Sequence, residues 1–386
     1  MLPTTGPPIR AARRLTAVLA LALLLAACGM PVEEEQQATP GPGVTVERAG
    51  RPVTVVRPTP GTPAPSVEPV TPSSSELPTC YQPTPDEPAI EGTPVEPSER
   101  IASPDPVPTP PYYEPLPLEE DPALEAQLRE VLGDDVDAYG VVVKSLEDGH
   151  GALINADKFF YAASLFKVTV MLEVHHQRSL GLLSFDEPLL VTPYYAGFDL
   201  GTLSVGVCET VTIGEALAHM MSVSDNVSAV LLQDRVGSAN INRSMEVLGL
   251  ETTRLLADDL PTTAADMALL LEAIARPDAE TLRPTPEATP APPLEGQEAS
   301  QEMVNLLASE EIDNGLREGV PQGTLVAHKT GNWSNATHDA GIVYSPGATY
   351  VIAVLSETDH ETRLTTEVSG AVWEYYNGAA GSEEGE

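Results

Sequence analysis

Proline sets the first limit on what this chain can fold into. Of its 38 prolines, 23 fall between Pro31 and Pro117. Proline fixes φ and removes a backbone donor, so a dense run of it favours extended chain over helix or central strand. Residues 28–120 are also rich in Thr, Ser, Glu and Val, lack long apolar periodicity, and carry an excess of acidic over basic side chains. Such a composition does not bury enough surface to offset chain entropy. The segment 28–120 is therefore expected to be a disordered, self-repelling linker, and the folded part is confined to about 121–380, enough for one large domain. A second proline-rich stretch, 277–297, reads as a disordered insertion between two helices.

Ahead of the linker, residues 1–27 read as an export signal. Arg10, Arg13 and Arg14 precede an apolar run from Leu15 to Ala27 that is short for a bilayer span. The run ends Leu25-Ala-Ala-Cys28-Gly29, which resembles a bacterial lipobox. That resemblance implies cleavage before Cys28 and lipid on its sulfur. The expectation is an extracytoplasmic protein, lipid-anchored to the cell membrane through Cys28, with the linker as a spacer.

The net charge of −37 argues against nucleic-acid binding, which needs clustered Lys and Arg, and against charge-driven binding to anionic lipid. Contact with the membrane is expected only through the N-terminal lipid. The cysteines, Cys28, Cys80 and Cys208, form no C-x-x-C pair, and the seven histidines form no H-E-x-x-H motif. No metal and no cofactor is expected. Cys80 and Cys208 are able to pair in an oxidising compartment, although the place of Cys80 in the linker argues against it.

Within the folded part the elements alternate. Leu124, Leu128, Val131 and Leu132 mark an amphipathic helix. Residues 139–146 and 152–155 read as a hairpin around the turn 147–151. Helices follow from Ser164 to about Gln177, over 211–221, 227–235, 240–248 and 265–275, with 183–210 loop-like between the first two. After a helix over 300–308 come strands at 324–329, 340–344 and 349–355, then a helix over 362–376. Strands at both ends with helices between predict an α/β (α+β) domain whose sheet is completed by the C-terminal part.

Three short stretches carry the chemistry. Ser164-Leu-Phe-Lys167 opens a helix, and residues three apart share a face, so Ser164 and Lys167 should point into one space. Alone this is usually a helix cap followed by a solvated lysine. Ser224-Asp225-Asn226 lies between two helices, 60 residues on, and Lys329-Thr330-Gly331 ends a strand 105 residues beyond that. Two lysines near one serine would depress each other's pKa, leaving a neutral amine able to take the serine's proton near pH 7.

Together, in this order, the three are the S-x-x-K, S-D-N and K-T-G set of the penicillin-recognising serine enzymes. From about 121 to 380 the chain resembles the class A β-lactamase and penicillin-binding-protein superfamily, also through Leu248-Gly-Leu-Glu-Thr-Thr-Arg-Leu255 and Thr262-Thr-Ala-Ala-Asp-Met267. The resemblance implies a β-lactamase/transpeptidase-like fold: an antiparallel sheet from N- and C-terminal strands, flanked by helices, plus an all-α subdomain. It implies that Ser164 is the acylated nucleophile, Lys167 a base for acylation, and Ser224 a proton relay between Lys167 and Lys329. Asn226 would bind the substrate's amide carbonyl. Lys329 and Thr330 would hold its carboxylate, and Gly331 would let substrate lie along the strand. The backbone N–H groups of Ser164 and Asn332 would form the oxyanion hole. The implied partner is a β-lactam or a D-alanyl peptide, met by a monomer.

One departure bears on function. Class A β-lactamases carry E-x-x-L-N in an omega loop, and its glutamate activates the deacylating water. Here only Leu256-Ala-Asp-Asp-Leu-Pro261 joins Leu255 to Thr262. Asp258 and Asp259 read as polar residues before a helix cap rather than as a replacement base. The leading expectation is a serine hydrolase that acylates on β-lactams and deacylates slowly. The alternatives are a D,D-peptidase acting on peptidoglycan stem peptides and an inactive wall-binding module. His328 reads as a packed residue able to tune Lys329. Tyr194 and Tyr195 read as cleft residues or surface aromatics, and Trp333 as a wall of the site or a packed side chain.

Overall fold

The computed structural model describes residues 44–48, 51–55, 80–83, 92–95, 99–199, 205–257, 259–276 and 296–378. The signal segment, Cys28, Asp258 and residues 277–295 lie outside them. The chain divides into two units, 1–63 and 64–386. In the first, strands β1 (Val44–Arg48) and β2 (Arg51–Val55) form an antiparallel hairpin, with Val44 opposite Val55.

The second unit is built on a six-stranded sheet of order β12-β13-β14-β6-β7-β5. Its strands are β5 (Glu119–Glu120), β6 (Tyr139–Ser145), β7 (His150–Ile154), β12 (Leu325–Trp333), β13 (Ala336–Tyr344) and β14 (Thr349–Ser356). All neighbours are antiparallel except β5 and β7. N- and C-terminal strands meet where β14 pairs with β6. Both faces are covered, which explains the unbroken apolar run Val141-Val-Val143. Val141 and Val143 pack with Leu124 and Leu128 of α1 (Pro122–Leu132) and with Val368 and Val372 of α9 (Arg363–Gly378). Val142 points the other way, into a core shared with α2 (Phe166–Ser179) and α7 (Ala264–Ala275). This alternation is the period of two that a strand imposes.

The remaining helices are α3 (Pro193–Ala196), α4 (Ile213–Ser222), α5 (Asn226–Val236), α6 (Ser238–Val247) and α8 (Gly296–Ala308). Short ladders join β8 (Phe160–Tyr161) to β11 (Pro261–Thr262), β9 (Pro188–Leu190) to β10 (Thr210–Thr212), and β3 (Cys80–Pro83) to β4 (Gly92–Val95). Helix starts follow their capping residues. Asp121 accepts from the Ala123 and Leu124 amides, Thr212 and Glu215 form a capping box, and Thr263 accepts from Asp266.

The fold agrees with the expected α/β class. It corrects four local readings. The region 183–210 contains β9, α3 and the start of β10 rather than loop alone. Lys329-Thr-Gly331 lies inside β12, which continues to Trp333. Cys80 and Cys208 are joined by a disulfide. Finally, residues 99–120 are not a free linker. Arg100 pairs with Asp234 at 2.6 Å, the Ile101 amide donates to the Tyr195 hydroxyl, and His176 Nε2 meets the Pro108 carbonyl at 2.7 Å. The Tyr113 hydroxyl and the Leu116 amide both donate to buried Glu272, whose other oxygen holds Lys144 at 2.5 Å. Backbone donors and carbonyls make most of these bonds, which is why apolar periodicity gives no sign of them. Tyr194 and Tyr195 serve this strap: Arg100 stacks over the Tyr194 ring, and the Tyr195 hydroxyl reaches Asp234.

A protein beginning at Asp121 should therefore melt below one beginning at Glu99. Loss of two hydrogen bonds to a buried carboxylate is worth roughly 3 kcal/mol, or about 6 °C for a domain of this size. Thermal unfolding of the two proteins checks this; equal midpoints would mean the strap is not part of the folded unit.

Candidate active site

Ser164 stands on a 3₁₀ turn, Ala163–Leu165, that runs directly into α2. The turn begins with Ala163 at φ +46°, a left-handed conformation that a side chain resists. Its neighbours hold it there. The Ala162 amide donates to the Leu260 carbonyl at 2.7 Å, and β8 is paired to β11. Gly331 backs onto the turn: a Cβ there would lie 3.0 Å from the Ala162 carbonyl and 3.3 Å from the Leu165 amide nitrogen. A side chain at 331 would thus press on the turn that carries Ser164, and the next residue, Asn332, opposes Thr337 across the hairpin.

Lys167, in the first turn of α2, is fully buried. Its amine donates to the Ser224 carbonyl at 2.5 Å, to Ser224 Oγ at 3.0 Å and to Asn226 Oδ1 at 2.7 Å. Ser224 takes φ +59°. Both of its oxygens reach one amine in that conformation. Asp225, between the two, is the N-cap of α5, accepting from Ser228 N at 2.9 Å and Ser228 Oγ at 2.5 Å. S-D-N is therefore a helix start whose flanking residues grip a lysine. Burial first, then the positive charge of Lys329, pushes the Lys167 amine down to about 7, while Asp225 and Glu310 oppose that shift.

Lys329 is also fully buried, and its partner is Glu310, with Nζ 2.5 Å from Oε2. The other oxygen, Oε1, accepts from Thr330 Oγ1 at 2.9 Å. Burial raises the Glu310 carboxyl and lowers the Lys329 amine, and each partner's charge counters the other's shift. At this distance the pair is an ion pair of zero net charge. Glu310 follows α8, and the amide of Glu311 donates to the Ser222 carbonyl, which fastens this segment to the end of α4.

The structure thus joins Lys167 to Ser224 and Asn226, and Lys329 to Thr330 through Glu310, around the turn that carries Ser164. His328 faces away from Lys329, as alternation in a strand requires, and bonds Asp339 at 2.8 Å. Trp333 packs near Tyr161, ring centroids 6.3 Å apart. Asp259 caps its own turn by accepting from the Leu260 amide. Among the described residues no group of His, Cys, Asp and Glu is arranged to hold a metal.

The sequence pattern of the Beta-lactamase enzyme family (Beta-lactamase2) matches residues 123–376, which include all three motifs. The chain belongs to this family. The family is one of β-lactamase-like serine hydrolases. It is 26% identical over 267 residues to the extended-spectrum beta-lactamase PER-1 of Pseudomonas aeruginosa, a match that covers 64% of this chain and 84% of that protein. Its fold is similar to that of PBP-A, with TM-score 0.60 and 22% identity over 69% of this chain and all of the other. It is also similar to an ancestral (GNCA) class A β-lactamase, with TM-score 0.54 and 24% identity over 65% and 99% of the two chains.

Two buried side chains that contact the site gave no signal in the sequence. Glu310 is one acidic residue in a strongly acidic chain. His338, opposite Gly331 on β13, is one of seven scattered histidines. Its Nδ1 accepts from the Ser356 amide at 3.1 Å, so Nε2 carries the proton and donates to the Tyr161 carbonyl at 2.8 Å, three residues before Ser164. Burial pushes His338 down to about 4. The folded protein keeps this ring neutral, whereas the unfolded chain protonates it near pH 6.5. Stability tied to His338 is therefore complete above pH 6.5 and is lost as pH falls towards 4, by about 3 kcal/mol in all. Urea unfolding at pH 7 and pH 4.5 should show a larger acid loss in the native protein than in His338→Gln; an equal loss would rule out a buried neutral histidine.

Proposed function

We propose that this protein is an extracytoplasmic serine hydrolase, tethered by lipid at Cys28, that forms an acyl-enzyme on Ser164 with β-lactams and releases it slowly. The observation that carries the reading is the buried Lys167 amine, lowered to about 7 and hydrogen-bonded to Ser224. In its neutral form it takes the Ser164 proton as Oγ attacks the lactam carbonyl. The N–H groups of Ser164 and Asn332 stabilise the oxyanion. Asn226, its Oδ1 held by Lys167, has its NH₂ free to orient the acyl side chain. Collapse breaks the C–N bond, and Ser224 passes a proton from Lys167 to the leaving nitrogen, which leaves an ester on Ser164.

Hydrolysis of that ester needs a base for water. The connection 256–261 folds straight into the β11–β8 ladder and has no glutamate. A mutant of PBP-A, a fold relative, has been determined as an acyl-enzyme complex with penicillin G. The same short connection favours a second reading, a D,D-peptidase releasing D-alanine from stem peptides. Liberation of D-alanine from a pentapeptide separates it from the first.

Intact-protein mass spectrometry after mixing the chain from Gly29 onward with penicillin G tests both steps. The expected result is a persistent adduct, absent from Ser164→Ala, with little loss of free drug. Rapid drug loss would overturn slow deacylation, and an unmodified protein would overturn acylation.

The pH dependence of acylation is a separate check. Lys167 must be neutral to act, so the rate should climb about tenfold per pH unit below 7 and level off above it. Lys167→Ala should slow acylation by about 10²-fold or more. A flat profile from pH 5.5 to 8.5 in stopped-flow or quenched mass spectrometry would remove Lys167 as the base.

A further inference from the structure

Glu310 occupies the two groups that would grip a substrate's carboxylate. The resemblance assigns that task to the Lys329 ammonium and the Thr330 hydroxyl. Here Lys329 Nζ lies 2.5 Å from Glu310 Oε2, and Thr330 Oγ1 donates its one proton to Glu310 Oε1 at 2.9 Å. A further Lys329 N–H goes to the Thr330 carbonyl at 3.3 Å, leaving one. All three side chains are buried. The neighbouring Arg317 brings no free charge, because its guanidinium donates to the Glu310, Ala308 and Val326 carbonyls and to Asp313. An ammonium with a carboxylate at ion-pair distance presents a dipole rather than a charge, and the attraction of a dipole for an anion falls off steeply.

We propose that Glu310 is a specificity-determining residue, an internal carboxylate standing where a substrate's carboxylate would bind. The site is thereby fitted to acyl donors, amides or esters, that carry no carboxylate beside the leaving group, and it gains little from those that do. This rests on the acylation of Ser164 proposed above. Glu310 is placed for the task by rigid structure. It lies two residues beyond α8, its neighbour's amide is fixed to the Ser222 carbonyl, and β12 is the edge strand against which it lies. In a protein lacking this carboxylate, Lys329 would be a buried charge without a partner, and a substrate bringing its own carboxylate would supply one.

The test compares penicillin G with its methyl ester, using second-order rates of adduct formation on the chain from Gly29 onward. In the native protein the two rates should agree within about threefold, whereas in Glu310→Gln the free acid should lead by about tenfold or more. Each ratio is taken within one protein, so a smaller folded fraction of the variant cancels. If the variant does not fold at all, the native ratio decides alone. A native preference for the free acid of about a hundredfold, or an unchanged ratio in Glu310→Gln, would overturn the proposal. Failure of both compounds to modify the native protein would instead overturn acylation itself, and this inference with it.

Discussion

Two lysine amines, at 167 and 329, are buried in the same region with no solvent to carry their charge. Taking an ammonium out of water costs several kcal/mol, and a protein meets that cost with a counter-charge or by letting the amine lose its proton. Both solutions are present, side by side. Lys329 has a carboxylate, Glu310, in direct contact. Lys167 has only neutral oxygens: a carbonyl, a hydroxyl and an amide. Glu310 counters the lowering that burial imposes on Lys329, whereas Lys167, with no carboxylate in contact, is brought to about 7, and the positive charge of Lys329 adds to that lowering. The difference between the two lysines comes from what each touches, since the side chains are chemically the same.

That arrangement needs backbone in unfavourable shapes. Ala163 and Ser224 both take positive φ, at about 1–3 kcal/mol each. Distant segments offset this. Leu260 and His338 fix the chain entering Ala163, Gly331 closes against it, and Lys167 itself bonds both oxygens of Ser224. The strained turns therefore depend on the complete sheet, with β12 and β13 from the C-terminal part laid against a turn from the N-terminal part. An isolated Ser164 helix would have no reason to keep this geometry.

What the sequence could reveal follows from the range of each interaction. The elements of the sheet and helices were legible because apolar spacing is local, and the three motifs because each lies in or beside such an element. The strap 99–120 was hidden because it binds through backbone groups, Tyr113 and Arg100, amid prolines that individually argue for free chain. Glu310 and His338 were hidden for a different reason. Each acts on residues far away along the chain, Glu310 on Lys329 and His338 on Tyr161, and nothing beside either one in sequence distinguishes it from other acidic residues and histidines.

The connection 256–261 bears on the outcome of the chemistry proposed for Ser164. It is not merely an omega loop lacking its glutamate. The Leu260 carbonyl is spent on the Ala162 amide, Pro261 and Thr262 pair at once with Tyr161 and Phe160, and the Leu256 amide closes a tight turn on the Asp259 carbonyl. The same bonds that shorten the path also brace the strained turn bearing Ser164. A single glutamate substituted into this connection would have to hold a water at the ester without loosening the ladder that positions Ser164. On the reading proposed for Ser164, efficient deacylation calls for a longer connection as well as a carboxylate, so the short one ties rigid placement of Ser164 to the long-lived ester proposed there.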